Sequence, residues 1–130
     1  MAMNKKIKNI VGWTLSGIVL LLLTASATDK ISGSEHALAM TRSFGISPDT
    51  YRSLGIIELI SAVLFMIPRT GLPGLLLLSS YLGGAIATHL QHGQSICFPA
   101  AIEALVWITA VIRFPELSMR IVNKGNLSPI

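Results

Sequence analysis

The stretch LPGLLLLSSYLGGAIATHL, residues 72–90, holds no Asp, Glu, Lys or Arg. As a helix it would be about 28 Å long, close to the roughly 30 Å hydrocarbon core of a bilayer. Small residues recur along it at spacing four, as Ser79/Gly83/Ala87 and Ser80/Gly84/Thr88. Such rows let helix backbones approach closely in lipid, where no hydrophobic force draws helices together. This segment therefore reads as a membrane span built to pack against others.

Outward from it, Pro68-Arg69-Thr70-Gly71 predicts a tight turn. Before the turn lies a second apolar segment, from Pro48 to Ile67. Its start is strongly signalled: Ser47 caps, Pro48 takes the first helical position and Asp49 meets the positive end of the dipole. Further apolar segments run over 7–27, behind Lys5, Lys6 and Lys8, and over 98–114, with Pro99 in the first turn and Pro115 after the end. The longest and most polar connection, Thr28–Ser47, can hold a short interfacial helix over Ser34–Phe44, capped by Ser34 and stopped by Gly45. Residues 115–130 read as a polar tail with one amphipathic turn near Leu117–Val122. The expected fold is an all-α integral membrane four-helix bundle with short loops, one domain over residues 1–130.

Composition agrees. Only 12% of the 130 residues are charged, half of the about 25% found in soluble domains. The net charge of +4 does not indicate nucleic-acid binding, because the basic residues sit at the ends of apolar segments instead of forming a stripe. Cys97 is the single cysteine, which excludes an internal disulfide and a CxxC pair. Ala25-Ser26-Ala27 resembles a signal-peptide cleavage site, but Gly12 and Gly17 suit a retained, packed helix. With four spans, Lys5, Lys6, Lys8, Arg69, Arg113, Arg120 and Lys124 share one side, against Lys30, Arg42 and Arg52 on the other. That asymmetry places both termini in the cytoplasm.

Three ionisable side chains lie inside the spans: Glu58, His89 and Glu103. Such groups are expensive in lipid and face a bundle interior or a wet cavity. Helical rise puts Glu58 roughly 9 Å deep, and His89 and Glu103 roughly 6 Å deep, all from the outer side. Lys30 can reach the same region by snorkelling, and Tyr81 shares a stripe with His89. The candidate pocket is therefore Glu58, His89, Glu103, Lys30 and Tyr81. Two readings stay open: a satisfied Glu58–His89 pair that fixes helix register, or a small pocket for a polar head group or a proton. His89-x-x-His92 has a spacing that can suit a metal, but His92 borders Gly93 in a loop, so no metal site is expected. Trp13 and Tyr51 read as interface anchors, Trp107 as core, and Arg113 with Glu116 as a surface pair.

Phe44-Gly45-Ile46-Ser47-Pro48, Leu54-Gly55-Ile56-Ile57-Glu58-Leu59, Ile67-Pro68-Arg69 and Gly83-Gly84-Ala85-Ile86-Ala87-Thr88-His89-Leu90, continuing to His92-Gly93, together resemble the DoxX-like family of small bacterial membrane proteins. Lys30 after the first span fits as well. The resemblance implies a four-helix fold in the bacterial inner membrane, with Glu58 and His89 among its characteristic polar positions. It also implies an accessory role in redox or quinone metabolism, beside a quinol oxidase or thiosulfate:quinone oxidoreduction. Distant animal relatives assemble membrane receptors, so an assembly factor is the alternative, and a small proton-coupled permease a third. No haem, flavin or CxxC motif is present, so a self-contained enzyme is not expected. The partners expected are the bilayer, a quinone or another membrane subunit, and a second copy of the chain.

Overall fold

The computed structural model describes residues 4–122. Among these there are six α-helices and no strand: α1 (Lys5–Ser32), α2 (Glu35–Phe44), α3 (Pro48–Met66), α4 (Gly71–Gln91), α5 (Cys97–Arg113) and α6 (Pro115–Val122). A 3-10 turn over Pro68–Thr70 joins α3 to α4. Lys124, counted above for orientation, lies outside the described residues, as does the rest of the tail beyond α6.

The helix starts follow from local chemistry. Ser34 Oγ accepts from the Ala37 amide at 3.0 Å and Ser47 Oγ from the Thr50 amide at 3.1 Å, each satisfying an orphan donor of a first turn. Gly45 ends α2 in the left-handed region, at φ 68°, which a glycine adopts without steric cost. The polar connection of 28–47 proves to be mostly helix. Helix α1 continues to Ser32, so Lys30 sits on its last turn, and α2 follows at once.

Helices α1, α3, α4 and α5 form a ring in which each packs on the next and α5 returns to α1. Neighbours run antiparallel, with Gly74 against Leu64 and Phe65, and Gly12 against Ile112 and Arg113. The centre is filled by Val19, Leu23, Phe65, Leu78, Val106 and Ala110, among others. By length and composition, two segments are fit to cross a membrane, α1 and Pro68–Gln91, and a third if α5 and α6, bent by 107°, form one span. Helix α3 is long enough but carries Asp49, Arg52 and Glu58, and α5 has 17 residues.

At the end opposite the candidate pocket, Arg113 behaves differently from the surface pair expected with Glu116. Its Nη1 and Nη2 donate to the carbonyls of Phe65 and Met66 at 2.9 and 3.1 Å. They cap the C-terminus of α3, whose last carbonyls have no partner within the helix. The guanidinium also lies about 5 Å from the rings of Trp13, Phe65 and Phe114, a desolvated cation–π arrangement.

Candidate functional site

Glu58 is 2% exposed, and a carboxylate so buried needs a partner of opposite charge and full hydrogen bonding. Lys30 on α1 supplies the charge, its Nζ 2.9 Å from Glu58 Oε2. The same oxygen accepts from the Tyr81 hydroxyl at 3.2 Å and the Ser26 hydroxyl at 3.4 Å. Lys30 Nζ also donates to Ser26 Oγ at 2.5 Å, and the rings of Tyr51 and Tyr81 lie 5.6 and 5.9 Å from it. Three helices are thereby tied through one carboxylate oxygen. Gly55, one turn before Glu58, makes this possible. A Cβ there would stand 2.8 Å from Lys30 Cβ and 3.0 Å from the Ala27 carbonyl oxygen, so any larger residue would push α1 and its lysine away.

Beside this cluster lies a cavity of about 800 Å³, within the usual range for small-molecule sites, roughly 300–1,000 Å³. Its walls come from α1, α3, α4 and the start of α5, with His36, Met40 and Phe44 of α2 on one side. Leu22, Ile57, Leu77 and Phe98 line it and are also exposed on the outer surface. The apolar flank of the cavity thus opens where lipid tails would lie.

His89 forms part of the same wall. Its Nδ1 is 2.7 Å from the Ala85 carbonyl oxygen, and its ring meets Phe44 edge-on with centroids 5.1 Å apart. A carbonyl can only accept, so Nδ1 carries the proton and Nε2 is the acceptor of the neutral ring. Asp29 and His36, 2.9 Å apart between Oδ2 and Nδ1, lie further along the rim. The hydroxyl of Ser34 donates to Asp29, and Gln94 ties the end of α4 to Ser43 of α2.

The structure thus brings together Glu58, Lys30 and Tyr81, and places His89 on the same cavity. The Glu58–His89 pair does not form: each has other partners. Tyr81 and His89 are two helical turns apart on α4, roughly 12 Å, so the two groups serve opposite ends of the space. Glu103 does not line the cavity. Ile102 faces it, and the next residue of a helix points about 100° away. Glu103 Oε1 accepts from Trp107 Nε1 at 2.9 Å, and Oε2 is buried without a hydrogen-bond partner among the described residues.

Sequence reasoning missed Ser26, Tyr51 and Phe44. Ser26 resembled part of a cleavage site, although its spacing of four from Lys30 puts both on one face. Tyr51, read as an interface anchor, is buried beside Lys30. His92 Nδ1 lies 2.8 Å from the Thr88 carbonyl oxygen. No cluster of three or more His, Cys, Asp or Glu side chains fit to hold a metal occurs among the described residues.

A model of the DoxX-like family matches residues 14–111, from the third turn of α1 to the last turn of α5. No match was found among curated proteins, nor among solved structures.

Proposed function

Because the chain belongs to the DoxX-like family, we propose that it is an accessory membrane protein of redox or quinone metabolism, binding a polar-headed apolar molecule such as a quinone. The observation that carries this reading is the cavity of about 800 Å³, apolar towards lipid and polar at His89. Such a space suits a ring with a short apolar tail better than a free polar metabolite. In this reading all four long helices cross the bacterial inner membrane with both termini in the cytoplasm, and the cavity belongs to the outer half. Lys30, Glu58 and Tyr81 hold its floor, and His89 meets the head group.

Protein purified in mild detergent under reducing conditions is expected to retain the reduced, quinol form, detected by chromatography and mass spectrometry of an organic extract. Ala85→Phe, which projects bulk into the cavity, and His89→Ala should each lower the retained quinol at least about tenfold, the loss expected when a ring's contacts or the hydrogen bond from its hydroxyl to His89 are removed. Wild-type protein that neither retains nor takes up quinone in either its oxidised or its reduced form would overturn the proposal.

A second reading, an assembly factor or self-associating subunit, is favoured by Gly83. A Cβ there would meet nothing within 4 Å, so this glycine is not used for close packing inside the bundle. Gly83→Leu would then abolish co-purification with a partner or a second copy while Ala85→Phe leaves it intact. A proton-coupled permease based on Glu58 and Glu103 draws no support from the geometry, since the two do not share a cavity.

A further inference from the structure

The polar groups around the cavity are unequally spent. Ser80 and Thr88 line it, and their hydroxyls donate to the carbonyls of Leu76 and Gly84 on their own helix, at 2.9 and 2.8 Å. Ser26 and Tyr81 donate to Glu58. His89 Nδ1 faces the Ala85 carbonyl, which turns Nε2 away from the α4 backbone, and Nε2 has no hydrogen-bond partner among the described residues. Near Glu58, the free donors among the described lining residues are the Tyr51 hydroxyl and the third N–H of Lys30, while the His36 ring is engaged with Asp29 at the rim. At the other end, what is left is lone pairs: Nε2 of His89 and Oγ1 of Thr88.

We infer that the cavity recognises a hydroxyl-bearing ring, of the phenol or hydroquinone class, whose O–H donates to His89 Nε2. A molecule that can only accept, such as an ether or a quinone carbonyl, would set its lone pairs against those of the wall and leave Nε2 unpaired. Once the ring covers His89, a ligand without a matching donor leaves Nε2 without water or partner, which weakens binding beyond any loss of contact area. The ring itself is accommodated by the edge-on corner of Phe44 and His89 and by Phe98, and its tail leaves past Leu77 and Leu22 towards lipid. The inference rests on the reading of the cavity as a ligand site and adds the polarity of its ligand.

The test compares two molecules of one shape. Full-length protein in nanodiscs is loaded with para-nonylphenol or para-nonylanisole at about pH 8, where histidine is ordinarily neutral. The amount retained above empty nanodiscs is measured by mass spectrometry after gel filtration. The phenol is expected to bind about tenfold tighter than its methyl ether, the effect of one matched hydrogen bond and one unpaired acceptor. In His89→Phe the ring and volume stay, and the phenol should fall to the level of the ether. Equal binding of the two by wild-type protein, or tighter binding of the ether, overturns the inference and leaves the cavity a ligand site. A phenol preference that survives His89→Phe overturns the assignment to His89. Retention of neither molecule overturns both the inference and the function proposed above.

Discussion

Lys30→Met is expected to destabilise the protein by about 3–5 kcal/mol, the cost of leaving one member of a buried ion pair without its counter-charge. The variant keeps an unbranched apolar stem of similar bulk and removes the ammonium, while Glu58 stays enclosed at 2% exposure. Tyr81 and Ser26 still donate to Oε2, so two hydrogen bonds remain, but no charge compensates. Lys30→Met with Glu58→Leu should recover most of the loss, because an apolar pair needs no compensation and can match or exceed a buried salt bridge. Unfolding of the three variants in detergent, against wild type, gives the coupling directly. Losses that simply add would mean that Lys30 and Glu58 do not act as a pair.

Gly74→Ala should be nearly as damaging, at about 3 kcal/mol, the upper part of the range for overpacking. The new Cβ would clash with the Phe65 amide nitrogen and lie 2.6 Å from Leu64 C and Phe65 Cα. These are backbone atoms, which cannot swing aside as a side chain can, so α3 and α4 must separate. That separation would also draw Tyr81 from Glu58, since the two bridge the same pair of helices. Gly83→Ala on the same helix is the control. Nothing stands within 4 Å of a Cβ there, and an alanine in a helix interior is favoured over glycine by about 1 kcal/mol. Thermal unfolding that moves the two variants in the same direction would contradict this packing.

The glycines also show how far the sequence could be read. The rows through Gly83 and Gly84 mark α4 as a packing helix, and it does pack on α3 and α5. Yet the tight contact is made by Gly74 and the two conspicuous glycines face open space. Spacing reveals that a helix can approach a neighbour closely and is silent on which face does so. Helix starts were more legible, because Ser34 and Ser47 act on amides three residues away, Pro48 acts through its own fixed φ, and none depends on anything distant.

The candidate site divides along the same line. That Glu58 and Lys30 lie at one depth follows from helical rise, so their meeting was within reach of the sequence. That Glu58 would choose Lys30 over His89 was not, since it depends on Gly55 admitting α1 and on His89 bonding back to Ala85. The displacement of Glu103 from the cavity is a matter of helix rotation, one residue from Ile102. Arg113 shows the same limit: its target carbonyls, on Phe65 and Met66, belong to a helix more than forty residues earlier in the chain.

The cavity beside Lys30, Glu58 and His89 is most directly tested by an experimental density map of the protein purified with its bound lipids. We expect elongated density within the wall formed by Leu22, Leu77 and Phe44, one end within hydrogen-bonding distance of His89 Nε2, above an intact Lys30–Glu58 pair. A cavity closed by its own side chains, or Glu58 turned from Lys30 towards His89, would contradict it.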